Sequence, residues 1–205
     1  MRTEISNVDE LRDVLGQPHE RVLRKDRTTL APEQIAWLKE SPFCLLSTSA
    51  ADGSCDVSPK GDPAGFVHVI DPATIAIPER PGNKRADGYG NILENPHVGL
   101  LFMVPGRGDT LRINGRATIL AEAPYFDELV VERHRPQLVV EVAIEQIFFH
   151  CAKAFLRSAL WSPESWHPEN VPSRAKIAKA LERPDDSIEE LKAYYGKAYT
   201  EGLYS

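Results

Sequence analysis

TIAIPERPGNKRADGYGNILENPHVGLLF, residues 74–102, is the stretch whose reading decides the fold. Thr74-Ile75-Ala76-Ile77 is β-branched and apolar and predicts a strand. Pro78 through Arg85 reads as a loop, and the helix that follows closes at Asn95-Pro96, because the residue before a proline is pushed out of the helical region. Residues 98–104 are apolar on both faces and predict an interior strand. The loop sets Arg80, Lys84 and Arg85 directly before a helix N-terminus. Cations and free backbone N–H groups at one place suit a phosphate.

Outward from this stretch the pattern is mostly β. Segments 43–49 and 54–60 flank Asp52-Gly53, a two-residue hairpin signal that predicts Ala51 opposite Ser54 and Ala50 opposite Cys55. Segments 66–70 and 74–77 are separated by Asp71-Pro72-Ala73. Segment 110–120 alternates, with Leu111, Ile113, Ala117 and Ile119 on one face and Thr110, Arg112, Asn114, Arg116 and Thr118 on the other. Segment 138–144 returns as strand. Short strands joined by brief turns predict a barrel or sandwich.

Helices are expected around this core. Asn7 with Glu10, and Gly16 after Leu15, outline a short capped helix. Pro32 at the first position and the apolar Ile35, Trp37 and Leu38 predict a helix over 32–40, stopped by Pro42. Residues 124–131 read as a short helix. After Cys151 the pattern is helical over 153–160, 173–181 and 186–198, the last with an Asp186–Glu189 capping box and an apolar stripe of Ile188, Leu191, Tyr194 and Tyr195.

The chain has 205 residues and a formal net charge of −6. That balance argues against a nucleic-acid protein, which usually carries a basic stripe, so any positive site is local. No apolar run is long enough to span a bilayer, and Met1-Arg2-Thr3-Glu4-Ile5 lacks a signal-peptide core, which points to the cytoplasm. Cys44, Cys55 and Cys151 are an odd count without metal spacing. The hairpin holds Cys44 about 20 Å from Cys55, too far for a disulfide, so small buried thiols are expected. Gly82-Asn83-Lys84 lacks the flanking residues of a nucleotide P-loop. Gly106-Arg107-Gly108 reads as a turn, and six scattered histidines give no metal frame. Without an obvious side-chain nucleophile, a redox cofactor is the expected source of chemistry.

Several runs together carry a family resemblance. They are Cys44-Leu45-Leu46-Ser47-Thr48 with Asp52-Gly53, Asp56-Val57-Ser58-Pro59-Lys60-Gly61-Asp62, Ile77 through Arg85, and Asn91-Ile92-Leu93. Asn95-Pro96-His97-Val98-Gly99-Leu100-Leu101-Phe102, Thr110 through Ala117, and His150-Cys151-Ala152-Lys153-Ala154-Phe155 continue the series. From Phe43 to Leu120 the chain resembles the FMN-binding split barrels of pyridoxamine 5′-phosphate oxidase type, in a bacterial branch of FMN-dependent proteins with unassigned substrates. The resemblance implies a mainly β fold, a six-stranded antiparallel split barrel with N- and C-terminal helices. It implies one domain over 1–205, with a helical extension over 1–41, a barrel core over 42–160 and helices over 161–205. A homodimer with FMN at the subunit interface is implied as well.

The same resemblance assigns the FMN phosphate to Asn83, Lys84 and Arg85, with Arg80 nearby. It places Ser58 and Lys60 along the flavin ring or ribityl chain. Thr110 and Arg112 fall on a strand that contacts the flavin, often from the partner subunit, and Lys153 and Arg157 match a late basic segment that closes the site. The bland readings are a solvated loop, cross-sheet ion pairs for Arg112 and Arg116, and an exposed helix face for Lys153 and Arg157. The C-terminal Arg and His of the vitamin B6 oxidases have no counterpart in Trp161 through Pro168, so pyridoxamine phosphate is not the indicated substrate. The expectation is an FMN-dependent oxidoreductase acting on a small molecule by hydride transfer through flavin N5. Alternatives are a deazaflavin- or haem-binding relative, the latter needing an axial ligand such as His68 or His150, and a flavin-binding module without turnover.

Overall fold

A computed structural model describes residues 2–204; residues 1 and 205, which bound the expected domain, lie outside the described residues. The chain runs α1 (Val8–Leu15), α2 (Glu20–Leu23), α3 (Pro32–Glu40), β1 (Phe43–Ser49), β2 (Cys55–Gly61), β3 (His68–Asp71) and β4 (Thr74–Pro78). It continues with α4 (Asp87–Glu94), β5 (His97–Met103), β6 (Thr110–Leu120), a 3₁₀ turn at Phe126–Leu129 and β7 (Val139–His150). The last helices are α5 (Lys153–Ser158), α6 (Arg174–Leu181), α7 (Ile188–Tyr194) and α8 (Lys197–Glu201). All strand pairs are antiparallel, in the order β2-β1-β5-β6-β7-β4-β3. The fold is thus mainly antiparallel β with flanking helices. The strand count is corrected from six to seven, and β2 and β3 are left as separate edges.

The inner faces of these strands meet in one core. Leu46, Leu100, Phe102, Leu111, Ile113, Val140, Val142 and Ile147 share it with Ile75 and Ile77 of β4. Strands near opposite ends of the sheet reach one cluster only because the sheet curls. Trp37 and Leu38 of α3 and Ile92 of α4 join it, which explains the apolar face of α3. Cys44 is buried there, and burial pushes its thiol up to about 12. Cys55 and Cys151 are exposed, contrary to the expectation of buried thiols.

Two registers differ from the simple alternating reading. In the first hairpin Ser49 faces Cys55 and the Ala50 N–H donates to the Ser54 carbonyl, so the loop has three residues, Ala51-Asp52-Gly53. Gly53 takes the left-handed position (φ +88°) that such a loop requires. In β7 the pairing steps from Gln146 opposite Asn114 to Ile144 opposite Gly115, leaving Glu145 as an extra residue. This bulge shifts the buried positions from Val142 and Ile144 to Ile147, so the strand runs on to His150 although the periodicity breaks. Beyond the bulge, Arg27 exchanges backbone hydrogen bonds with Ile147, bringing the N-terminal segment alongside β7.

The C-terminal helices form their own small cluster of Ala175, Ala178 and Leu191. The capping box of α7 is Ser187–Glu190, one residue later than the expected Asp186–Glu189. Ser187→Ala is expected to cost about 1 kcal/mol of local stability, seen as faster amide exchange across residues 188–194.

Candidate functional site

The sheet does not close between the edge of β2 and the chain leaving β4, and two ion pairs span that gap in place of backbone bonds. Lys60 Nζ lies 2.6 Å from Glu79 Oε2. One step further, Arg80 pairs with Asp62, whose side chain is 1% exposed. A cleft of about 540 Å³ opens beside these ties, lined by Asp56, Ser58 and Lys60 of β2, Glu79, the loop residues Gly82, Asn83 and Arg85, and the start of α4 through Tyr89. That volume is typical of small-molecule sites.

Each side of the cleft follows from local structure. Asp56, Ser58 and Lys60 are alternate residues of β2 and share the face turned toward the core side. Asp56 accepts a 2.5 Å hydrogen bond from the Ser58 hydroxyl. Tyr89 OH donates to Glu79, and the Lys60 ammonium contacts both. Burial, then the Glu79 carboxylate, pushes the Tyr89 phenol far above its ordinary value, so it stays protonated. On the loop side, Lys84 and Ala86 have φ of +59° and +58°. Left-handed non-glycine residues are strained, and such strain gathers at ligand-gripping loops. Ala86 caps α4 without any side-chain hydrogen bond, leaving the first turn without a side-chain acceptor.

The lining carries two cations, Lys60 and Arg85, against three carboxylates, Asp56, Glu79 and Asp87. Arg85 pairs with Asp87, so the floor is not cationic. Positive charge and free donors are concentrated at the loop end, where exposed Lys84 adds to Arg85.

Of the residues singled out from the sequence, Ser58, Lys60, Asn83 and Arg85 line the cleft together, and Lys84 stands beside it. The Arg80 guanidinium is engaged elsewhere: besides Asp62 it donates to the carbonyls of Leu129 (2.8 Å) and His134 (3.3 Å). Arg80 thereby ties the end of β2 to the strand-connecting segments. Arg80→Gln is expected to cost about 2 kcal/mol, below the usual figure for breaking a buried pair because Tyr204 still donates to Asp62. Urea denaturation measures this.

Thr110, Arg112, Lys153 and Arg157 are not brought to this cleft. Arg112 lies on the outer sheet face in one row with Leu101, Leu45 and Pro59. Three strand spacings separate it from Pro59, about 14 Å. Thr110 is buried opposite His150, and Lys153 and Arg157 are exposed on α5. His68 stacks on Tyr125 and His150 lies against Phe148; neither lines the cleft. The site roles of Asp56, Glu79 and Tyr89 went unread. The period-2 phase that pairs Ser58 with Lys60 already implicates Asp56, whereas Glu79 and Tyr89 meet only in the fold.

A sequence model described as pyridoxamine 5′-phosphate oxidase matches residues 30–151, more than half of the chain. The chain belongs to the pyridoxamine 5′-phosphate oxidase family. The match covers α3 and every strand and ends at Cys151, two residues before the start of α5. Solved structures similar to this family member include a HupZ protein of Group A Streptococcus (20% identity, 58% of this chain and 93% of that one, TM-score 0.48). A candidate pyridoxamine 5′-phosphate oxidase from Lactobacillus delbrueckii is 27% identical over 60% of this chain and 95% of its own, TM-score 0.47. An FMN-binding protein from Syntrophomonas wolfei is 16% identical over 70% and 94%, TM-score 0.44. No curated protein matches the sequence.

Proposed function

We propose that this family member binds FMN in the cleft, as a homodimer, and serves as a cytoplasmic oxidoreductase for a small molecule. The observation that carries the reading is the loop over residues 82–86. Two cations and an uncapped helix N-terminus meet at one end of a cleft of flavin-compatible size. The donor set fits the group in two zones. The loop, with Asn83, Lys84, Arg85 and the first amides of α4, suits the phosphate. The floor repels a dianion but accepts hydroxyls, since Asp56 and Glu79 are acceptors, which suits a ribityl chain.

When bound, FMN supplies hydride exchange through its N5. The chain's own residues hold and shield it. Lys60 sits among Glu79 and Tyr89 with its side chain 13% exposed, a positive charge fixed in place rather than solvated. Asp56 orients the Ser58 hydroxyl toward itself. Thr110, Arg112, Lys153 and Arg157 serve the cofactor of a second copy, because their distance from the cleft in one chain excludes the same pocket. The outer row of Pro59, Leu45 and Leu101, with Val57 58% exposed nearby, gives that copy an apolar seat.

The visible spectrum of the purified protein tests the cofactor: flavin bands released as FMN on denaturation support the reading. A colourless protein that takes up no added FMN overturns it. Sedimentation tests the dimer, and anaerobic reduction by NADH or NADPH tests turnover.

A further inference from the structure

A second cavity, of about 450 Å³, adjoins the cleft at the loop end. Its first wall is Pro81, Gly82 and Asn83. Gly82 and Asn83 line the cleft as well, so the two cavities meet across that backbone. Its second wall comes from the C-terminal helices, with Tyr194 at the end of α7, Tyr199 of α8 and Leu203 beyond it. Among the described residues the lining carries no charged side chain.

The second wall is held in place from both ends. Of the stripe on α7, Leu191 is buried in the C-terminal cluster and Ile188 and Tyr195 pack against it, whereas Tyr194 turns outward. Tyr195 backs both lining rings, edge-on to Tyr194 at 4.9 Å and tilted against Tyr199 at 5.7 Å. Past Leu203 the chain is pinned by Tyr204. Its hydroxyl donates to Asp62, its ring stacks on His134 at 5.8 Å, and the Arg80 guanidinium carbon lies 5.8 Å from the ring centroid. The Arg80–Asp62 tie thus anchors the tail as well as the end of β2. Yet Tyr194, Tyr199 and Leu203 each stay more than half exposed. Aromatic faces fixed over a cavity and left uncovered suit a flat, uncharged ring, because such stacking is tolerant of the ring's hydrogen-bonding edge.

Position decides what carries that ring. With the FMN phosphate at Asn83, Lys84 and Arg85, the cavity lies beyond the phosphate, away from the flavin ring. Its occupant therefore does not meet N5 as a hydride partner. Walls without a cation also disfavour an acidic tail on the phosphate. A second nucleotide joined through the phosphate meets both conditions. Its pyrophosphate carries about two negative charges, as the FMN phosphate does, so the same loop serves either. We propose that this cavity takes the adenine of a flavin adenine dinucleotide whose FMN half occupies the cleft. The inference rests on that placement of the flavin.

The test is equilibrium dialysis of the purified full chain against FAD and FMN, equimolar and in excess, with the bound flavins released by denaturation and separated by chromatography. Expected is a bound FAD-to-FMN ratio of about ten or more, falling close to one in Tyr199→Ala with total bound flavin unchanged. Tyr199→Phe, which keeps the stacking face, should retain the wild-type ratio. Tyr199 is exposed, so its truncation is not expected to unfold the chain, and Tyr194→Ala gives a second variant with the same expected direction. A wild-type ratio near or below one overturns the adenine site and leaves the FMN reading standing. Binding of neither flavin overturns both. A FAD preference that survives Tyr194→Ala and Tyr199→Ala together overturns the adenine site too, and loss of the dimer in that protein, seen by sedimentation, then assigns the cavity to the subunit contact.

Discussion

Replacing Lys84 and Arg85 together by Ala is expected to lower FMN affinity by at least about a hundredfold, since each charge-assisted contact to a phosphate contributes roughly tenfold or more. Fluorescence quenching of added FMN measures it. The loss should be larger at low salt, because both side chains are exposed and part of their effect is screened. Riboflavin, which lacks the phosphate, should bind wild type and variant alike. Equal FMN affinity in the two proteins would remove the loop from the site. Arg85→Ala alone also frees Asp87 from its ion pair, placing an unpaired carboxylate at the helix end, so the double change should exceed Lys84→Ala alone.

Gly115→Val is expected to destabilise the fold by about 3 kcal/mol or more, read from urea or thermal denaturation. A Cβ built on Gly115 falls 2.1 Å from the backbone oxygen of Ala143 and 3.0 Å from the Ala143 carbonyl carbon. A carbonyl on a neighbouring strand cannot rotate away as a side chain does. Relief requires parting β6 from β7 where the Glu145 bulge draws them together. That pairing joins the halves of the sheet, so the effect is global. Gly90→Ala, by contrast, places its Cβ in open space within α4 and should not lower stability.

The strands were legible because their apolar residues alternate in short runs bounded by Gly, Pro and Asp. β1, β6 and α3 fall on the expected bounds, and each other expected strand lies on an observed one. Legibility failed where the chain breaks its own period. Glu145 bulges, the buried phase flips, and β7 reads as ending at Ile144 though it pairs through His150. The Asp-Gly turn misled in a related way, since Gly53 serves a three-residue loop as readily as a two-residue one. In the site, the phosphate loop was visible as adjacent cations before a helix. Arg80 looked like part of it because adjacency in sequence says nothing of which way a guanidinium turns.

By itself, the sequence determined the antiparallel strands, the helix that follows the basic loop, and the family to which the chain belongs, for these rest on period, turn chemistry and local order of residues. Only the tertiary structure decided that the sheet stays open, with β2 and β3 as its edges, that Lys60–Glu79 and Arg80–Asp62 tie the end of β2 to the chain leaving β4, and that Arg112 stands with Lys25 on the far face. The physical reason is that burial and charge pairing depend on which distant residues the curl of the sheet brings together, and no local pattern encodes that distance.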